Sequence, residues 1–255
     1  MSRDWALSVK NLLLPIHCKA CDQRLLTEEN GFFCPQCWES SPLIERPFCS
    51  RCGRPHQSMV GYGARSNFPC ADCRARPSRY IRRIYGAAVY DGAVEMGIKL
   101  LKFSDKERLA GPLAELLTAF AEREMDAEAY ALLIPVPLHR VRERSRGFNQ
   151  SRLLAERVLP AFPRARLDES LRRIRPTRVQ TRATGKERRA NVRGAFAVLG
   201  DACKGKTVLL VDDVVTTGST VSECAAALHR AGAANVDVLA VALTVPRWNS
   251  DDEPM

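Results

Sequence analysis

The stretch VLLVDDVVTTGST, residues 208–220, decides the fold of this 255-residue chain. Its four leading apolar residues predict a buried parallel strand, with Asp212 and Asp213 at the carboxyl end of that strand. A turn of small residues follows, and then a predicted helix over residues 219–231. In open α/β sheets, ligands bind in the crevice beyond the carboxyl ends of the strands. The stretch therefore predicts both a parallel sheet and a ligand site at its edge.

The turn after this strand has the composition of a phosphate site. It comprises Thr216, Thr217, Gly218, Ser219 and Thr220. These hydroxyls and backbone N–H groups can converge on one anion, with a helix N-terminus behind them. The two aspartates repel phosphate, but they can accept hydrogen bonds from sugar hydroxyls or help to hold a divalent cation. Together they predict a pocket for a ribose 5-phosphate; the alternatives are a solvated acidic turn and a plain helix cap.

A second phosphate motif lies just upstream. The stretch GDACKGKT, residues 200–207, matches the Walker A pattern letter for letter. A P-loop must follow a strand and open a helix, whereas this stretch leads directly into the apolar, β-rich run 208–211. We interpret it as the turn before a strand and reject a nucleoside triphosphatase.

Hydrophobic patterning beyond these motifs favours an α/β fold. Apolar runs predict strands over residues 84–90, 131–137, 195–198, 208–211 and 236–244, and helical spacing covers residues 94–103, 106–124, 149–159 and 219–231. Alternating strands and helices imply a mostly parallel sheet covered on both faces. Residues 1–79 differ, since they are rich in cysteine and proline and lack long periodic runs. We expect two domains, divided after residue 79.

Eight of the ten cysteines form four C-x-x-C pairs, which favour metal over disulfide in a reducing compartment. The pairs are Cys18/Cys21, Cys34/Cys37, Cys49/Cys52 and Cys70/Cys73. Two such knuckles complete one tetrahedral site, so the spacing predicts two structural zinc ions in successive ribbons. Disulfides or a redox C-x-x-C are the alternatives, and His17 and His56 are possible substitute ligands. Cys203 and Cys224 are isolated and predict small core residues.

The positive charge of the chain is concentrated in one segment. Residues 138–193 carry the whole basic excess behind the net charge of +10, which points to a polyanionic ligand. A proline-broken strand is expected to lead into a turn rich in arginine, whose guanidinium groups could hold pyrophosphate. Those arginines are Arg140, Arg142, Arg144 and Arg146. Residues 172–191 predict a mobile loop over the pocket, and a solvated basic surface is the alternative for both stretches.

Two lysines on the predicted helix 94–103 have an ambiguous role. Lys99 and Lys102 either add positive charge near the pocket or belong to a solvated helix face.

No segment approaches the roughly 18 consecutive apolar residues that span a membrane. The apolar stretch at residues 5–15 is too short and interrupted for a signal peptide, and predicts one amphipathic helix. We therefore expect a cytoplasmic protein without membrane insertion.

Several short motifs, together with the cysteine-rich head, resemble those of the ComF family. They are Pro135-Val136-Pro137, Arg144-x-Arg146-Gly147-Phe148-Asn149-Gln150, Thr177-x-x-Gln180, Arg188-x-x-Asn191-x-x-x-Ala195-Phe196, and the acid pair with its hydroxyl loop. That loop also resembles the phosphoribosyl-diphosphate signature of type I phosphoribosyltransferases. The likeness covers nearly the whole chain. It implies a type I phosphoribosyltransferase-like parallel sheet behind an N-terminal double zinc ribbon.

The same resemblance implies ligands and partners. Phosphoribosyl diphosphate with Mg²⁺ would bind at the acid pair and hydroxyl loop, with Arg140 and Arg146 near its phosphates. Single-stranded DNA would bind Arg142, Arg144 and Arg146 during the uptake or use of external DNA. Other DNA-uptake proteins would be further partners.

Three functions remain open at this point. The pocket could sense phosphoribosyl diphosphate in a DNA-binding protein, or it could catalyse phosphoribosyl transfer to an unidentified acceptor. In the second case Asp212 and Asp213 would hold the ribose hydroxyls and favour an oxocarbenium-like state while pyrophosphate departs. A purine salvage enzyme would need a hydrophobic hood for the base, and the sequence shows no such element.

Overall fold

The computed structural model describes residues 16–25, 32–56, 67–175 and 192–245. The predicted amphipathic helix at residues 5–15 lies outside the described residues, as does most of the predicted basic loop, from residue 176 to residue 191.

The described strands and helices alternate along the second half of the chain. The strands are β1 (Ile16–His17), β2 (Arg24–Leu25), β3 (Arg83–Val89), β4 (Leu132–Pro135), β5 (Arg166–Leu167), β6 (Leu171–Arg173), β7 (Phe196–Val198), β8 (Thr207–Val215) and β9 (Asn235–Leu243). The helices are α1 (Pro35–Glu39), α2 (Ala71–Ala75), α3 (Gly92–Leu101), α4 (Ala110–Glu124), α5 (Arg140–Arg146), α6 (Gln150–Val158) and α7 (Ser219–Arg230). Short 3₁₀ turns cover Ser104–Leu109, Ala127–Ala129 and Leu159–Ala161.

A five-stranded parallel sheet forms the centre of the fold, in the order β3-β9-β8-β4-β5. In β9 every residue from Val236 to Leu243 is buried. Successive side chains of a strand point to opposite faces, so both faces of the sheet are covered. The predicted parallel α/β sheet is confirmed.

The sheet is long in the middle and short at one edge. The central strands β8 and β9 span nine residues each, whereas the edge strand β5 has two. Helices α4 and α6 pack against each other and against the sheet, and α7 packs against β9 and β7. A separate antiparallel hairpin, β6–β7, stands beside the sheet, with Leu171 opposite Val198.

The cysteine-rich part of the chain covers the other edge of the sheet. We call its described residues, 16–25, 32–56 and 67–75, the ribbon region. The Ile44 N–H donates to the Ala87 carbonyl at 2.9 Å, and the Val89 N–H donates to the Pro42 carbonyl at 2.8 Å. Through these bonds a short segment around Leu43 lies antiparallel beside the edge strand β3. This pairing protects the edge of the sheet from pairing with another chain.

One glycine allows the ribbon region to approach β3 closely. Gly53 has a φ of +72°, and a Cβ atom there would lie 2.5 Å from the Ile84 carbonyl oxygen. The Ile84 N–H in turn donates to the Arg51 carbonyl at 2.8 Å. A side chain at position 53 would therefore clash with the backbone of the sheet.

At the amino ends of the strands, one buried aspartate has hydrogen-bond donors on both of its carboxylate oxygens. Asp237 of β9 is fully buried, and Arg82 forms two hydrogen bonds with its carboxylate, at 2.6 and 3.0 Å. The Tyr130 hydroxyl and the Arg83 N–H donate to the same group at 2.8 and 3.1 Å.

Within the described part of the chain, no helix is long and apolar enough to cross a membrane.

Candidate functional site

Both predicted aspartates lie inside a strand rather than after it. The sequence predicts that the strand ends at Val211, but β8 continues to Val215. The reason is its neighbour: β9 runs alongside as far as Leu243, so Asp212 pairs with Ala240 and the ladder hydrogen bonds continue. Both aspartates are buried, at the carboxyl end of the central strand.

Asp212 is held by donors from its own neighbour and from α6. The Ser151 hydroxyl and the Asp213 N–H each donate to Asp212 Oδ1 at 2.9 Å. Burial raises the pKa of Asp212 well above its usual value, and the charge of Asp213 raises it further. The Ser151 hydrogen bond opposes this rise, because it favours the charged form.

Asp213 faces cations from two other elements. The ammonium group of Lys102, the residue after α3, lies 3.0 Å from Asp213 Oδ2. Burial lowers the pKa of the Arg146 guanidinium on α5 below its ordinary value. The negative charge of Asp213 raises that pKa, but by less than burial lowers it. Lys99, by contrast, pairs with Glu95 on its own helix at 2.6 Å. Of the two lysines left open by the sequence, Lys102 reaches the aspartates and Lys99 pairs on α3.

The hydroxyl loop occupies the predicted place between β8 and α7. Gly218 adopts a left-handed φ of +74°, which turns the chain from the strand into the helix. The Thr217 and Ser219 hydroxyls are hydrogen-bonded to each other at 2.8 Å, and Thr217 is exposed. Among the described residues, no side chain caps this twelve-residue helix, so its first N–H groups can receive an external anion. We call Asp212, Asp213 and residues 216–220 the aspartate crevice.

The arginine-rich turn is a helix. The sequence predicts an arginine-rich turn after the proline-broken strand, but residues 140–146 form α5. His139 Nδ1 accepts a hydrogen bond from the Val141 N–H at 3.4 Å, and Gly147 ends the helix with a φ of +88°. The prediction of an irregular turn is wrong, because these caps stabilise a short helix that has no apolar stripe to reveal it.

The helix separates the four arginines that the sequence grouped. Arg142 and Arg146, one turn apart, influence each other electrostatically, and Arg146 also senses Asp213. Arg146 donates to the side chain of Gln150. Arg140 and Arg144 are both exposed, and Arg140 lines a neighbouring cleft. In the described part of the chain, none of these four arginines has a carboxylate within ion-pair distance.

The structure contains a cleft that the sequence did not reveal. Its volume is about 640 Å³, within the range of small-molecule sites, and we call it the hairpin cleft. It adjoins the aspartates, since one of its lining residues, Pro135, pairs with Val211. The β6–β7 hairpin contributes Ile174 and Leu199, whose exposed fractions are 61% and 60%. No local pattern identifies this cleft, because its walls come from distant parts of the chain.

One more cation links the hairpin cleft to the aspartates. Arg173 of β6 lines the cleft, lies over the Phe196 ring at 5.5 Å and senses the charge of Asp212. Burial lowers the pKa of its guanidinium, as does the neighbouring charge of Arg142.

The Walker-like stretch is no phosphate site. Residues 201–206 form a turn, and Thr207 begins β8. The Gly205 N–H donates to the Gly232 carbonyl at 2.8 Å. The prediction that these residues form the turn before a strand is confirmed.

The eight paired cysteines form two clusters, each made of successive pairs. The clusters are Cys18/Cys21/Cys34/Cys37 and Cys49/Cys52/Cys70/Cys73. Within each cluster the sulfur atoms lie within 4.8 Å of one another. Cys21 and Cys34 sulfurs are 3.8 Å apart, and a tetrahedral site with Zn–S bonds of about 2.3 Å separates its sulfurs by roughly this distance. The residues present therefore fit two structural zinc ions.

Backbone amides support the thiolates of the second cluster. The N–H groups of Cys52 and Cys70 donate to Cys49 Sγ at 3.4 and 3.2 Å. A hydrogen bond from Cys52, followed by these amides, lowers the pKa of Cys49 to about 4. His56 stacks on Phe68 and bonds to its carbonyl, and His17 bonds to the Asp22 carbonyl. Neither histidine is part of a cluster.

The two remaining cysteines belong to the core. Cys203 and Cys224 are both fully buried, as predicted. Burial raises the pKa of both thiols.

Two domain families match this chain. The double zinc ribbon domain matches residues 9–74, and the phosphoribosyl transferase domain matches residues 137–253. The first match contains both cysteine clusters, and the second contains α5, the aspartate crevice and all of the hairpin cleft except Pro135.

Curated relatives match over most of their length. The chain is 33% identical to the DNA utilization protein YhgH of Escherichia coli O157:H7, over 92% of this chain and 100% of that protein. It is 30% identical to Competence protein F of Haemophilus influenzae, over 89% of this chain and 95% of that protein. It is 28% identical to Competence protein ComFC of Bacillus subtilis, over 79% of each chain.

Proposed function

The chain belongs to the competence-type family of the ComF and YhgH proteins, with a double zinc ribbon and a phosphoribosyltransferase domain, and from this premise we propose a function. The protein binds phosphoribosyl diphosphate together with Mg²⁺ in the aspartate crevice. It binds single-stranded DNA through the arginines of α5, and acts in the uptake or use of DNA. Eight zinc-binding thiols require a reducing compartment, which favours the cytoplasm.

The observation that carries this proposal is the order of charges along one edge of the sheet. Two buried carboxylates lie in the middle, the uncapped N-terminus of α7 follows after Val215, and Arg146 of α5 interacts electrostatically with Asp213. Phosphoribosyl diphosphate has the complementary order: hydroxyls in the middle and anionic groups at both ends. The helix N-terminus suits the 5-phosphate, and the arginines suit the diphosphate.

A magnesium ion would share its ligands between protein and substrate. In the described residues, the clusters of three or more metal-binding side chains are the two cysteine sites, so the aspartates alone do not surround an ion. Mg²⁺ usually binds one or two carboxylates and completes its shell with water and substrate phosphates. Asp212 and Asp213 would supply the protein's part, and the ion would offset the charge of the diphosphate.

The DNA half of the proposal rests on phosphate contacts. Proteins that bind single strands usually stack bases on exposed aromatic side chains. Here Phe148 and Phe48 are buried, and Trp38 stacks on Phe33 at 5.5 Å. Tyr62 lies outside the described residues. The α5 arginines lack acidic partners in the described chain, so affinity would come from their contacts with DNA phosphates and would depend strongly on salt.

Calorimetry with phosphoribosyl diphosphate and Mg²⁺ tests the crevice. We expect saturable binding in the wild type and at least a tenfold loss in Asp213→Asn, which removes the carboxylate charge but keeps the shape. Asp201→Asn is the matched control, because Asp201 is exposed at the far end of β8. Equal affinity in all three proteins would refute the assignment of the crevice.

A salt titration of single-stranded DNA binding tests the arginines. Removing both Arg142 and Arg144 by substitution with Gln should weaken binding about equally for unrelated sequences and lower the salt dependence. Arg164→Gln is the control, because Arg164 is exposed and pairs with Glu128 at 2.8 Å. If the wild type does not bind DNA at low salt, this half of the proposal is wrong.

The hairpin cleft favours one second candidate, phosphoribosyl transfer. An acceptor bound between Ile174 and Leu199 would lie beside the aspartates, bond to ribose C1 and displace diphosphate, losing its own proton. Adding candidate acceptors should then release pyrophosphate in the wild type. Pyrophosphate would not accumulate if the crevice only senses its ligand.

A further inference from the structure

We infer that Lys102 is a ligand-binding residue of the aspartate crevice, and that its ammonium group binds the diphosphate of the sugar. This inference rests on the proposed function and adds a residue to that site. In the structure the ammonium forms an ion pair with Asp213, and it can leave this carboxylate to contact the ligand.

The first support is the place of the ion pair. Lys102 Nζ lies 3.0 Å from Asp213 Oδ2, and the Asp213 side chain is almost fully buried. The Lys102 side chain keeps 33% of its surface exposed, so the ammonium stands at the boundary between crevice and solvent. A lysine has a flexible four-carbon stem and three donors, so it can reach a second anion without moving the backbone.

The second support is the contrast with Lys99 on the same helix. Lys99 is 53% exposed and pairs with Glu95 four residues earlier, which is an ordinary surface pair of small energetic value. Lys102 instead leaves its helix and reaches a carboxylate 111 positions later in the chain. The two lysines have the same chemistry but different surroundings, and Lys102 alone of the pair contacts the crevice.

The third support is the local charge balance. The Asp213 carboxylate is paired with Lys102 at the end of α3, and its charge also acts on Arg146 of α5. Tyr90, at the end of β3, senses the charges of Lys102 and Asp213 and so lies in the same group. These cations are held at the crevice by a carboxylate, so an anion entering the crevice can compete for them.

Binding would then proceed by an exchange of partners. Asp213 would accept hydrogen bonds from ribose hydroxyls in place of the ammonium, and Lys102 would turn to the diphosphate beside Arg146. No covalent bond is made or broken in this exchange. Because the 5-phosphate lies at the hydroxyl loop, Lys102 affects affinity for the diphosphate and leaves the 5-phosphate unaffected.

Calorimetry with two probes tests the inference: phosphoribosyl diphosphate and ribose 5-phosphate, each with Mg²⁺. Lys102→Gln should lose at least tenfold in affinity for phosphoribosyl diphosphate and change less than twofold for ribose 5-phosphate. Lys102→Arg should recover most of the loss, because it keeps the charge. Lys99→Gln should match the wild type for both probes, and thermal melting confirms that each variant is folded.

Three results would overturn the inference while leaving the proposed function in place. Lys102→Gln could bind phosphoribosyl diphosphate as tightly as Lys99→Gln, which would make the ion pair incidental. It could lose affinity for both probes equally, which would limit Lys102 to orienting Asp213. It could also bind phosphoribosyl diphosphate more tightly, which would mean that Lys102 obstructs the crevice. A wild type that binds neither probe would overturn the proposed function, and this inference with it.

Discussion

Both ends of the central sheet contain buried aspartates, but these aspartates differ in the partners that the protein supplies. At the amino end, Asp237 receives donors from Arg82, Tyr130 and the Arg83 backbone, so both of its oxygens are occupied within the protein. At the carboxyl end, Asp212 and Asp213 are adjacent and repel each other. Asp212 has one donor from outside its own dipeptide, and Asp213 has one partly exposed lysine.

This difference separates a structural acid from the two acids that we propose bind the ligand. A buried carboxylate with all its partners supplied by the protein stabilises the fold once it has formed. Two buried carboxylates placed side by side are costly, and such strained groups cluster at functional sites. On the proposed function, the carboxyl end is where the molecule gives up stability for binding.

The largest expected effect concerns the structural zinc ions that the ribbon region fits. Cys49→Ser removes one thiolate of the second cluster, and a structural zinc contributes about 10–16 kcal/mol to the folding of its domain. We expect the zinc content to fall from two ions per chain to one, as measured by atomic emission. Cys203→Ala should keep two, and two ions in Cys49→Ser would contradict the assignment of the clusters.

The next effect tests the amino end directly. Asp237→Ala leaves Arg82 and the buried Tyr130 hydroxyl without their partner, and should cost about 2–4 kcal/mol of unfolding free energy. Ligand affinity should stay the same, because Asp237 lies at the opposite end of the sheet from the crevice. Urea denaturation measures the cost, and a loss below about 1 kcal/mol would show that the two ends do not differ as described.

A smaller effect of opposite sign is expected at the carboxyl end. Because the folded state raises the pKa of Asp212, the native protein holds a proton that the unfolded chain releases above about pH 4. Wild-type stability is therefore lost as pH rises above that value, and Asp212→Asn avoids this loss. Its Tm should exceed the wild-type Tm at pH 7 and come closer to it near pH 4. A lower Tm at pH 7 would contradict this account.

The smallest effect concerns the donor from α6. Ser151→Ala removes the hydroxyl that donates to Asp212, and should cost about 1 kcal/mol, or roughly 2–4 °C in Tm. The comparison is between the melting temperatures of Ser151→Ala and the wild type, measured by circular dichroism. No change in Tm would mean that the Ser151 hydrogen bond does not hold Asp212 in place.

Sequence patterns predicted the sheet because its strands are nearly uniform apolar runs. β8 and β9 are buried on both faces, so their sequences show an uninterrupted hydrophobic stretch that needs no tertiary information. Helix α5 was missed, since its seven residues are mostly charged and its caps, His139 and Gly147, are weak signals by themselves.

The site was predictable only where its parts are contiguous. The aspartates and the hydroxyl loop follow one another along the chain, so one motif identified them. Ser151 lies 61 positions before Asp212 and Lys102 lies 111 positions before Asp213. The hairpin cleft is lined by residues outside the motif, so the places of all three depend on how the sheet assembles. Local patterns also could not distinguish Lys102 from Lys99.

A crystal structure of the protein with phosphoribosyl diphosphate and Mg²⁺ tests the central claim most directly. We predict a ribose whose hydroxyls contact Asp212 or Asp213, with its 5-phosphate on the N–H groups of residues 217–220 and its diphosphate facing α5. Density for the ligand elsewhere on the molecule, with the crevice filled only by water, would contradict the account.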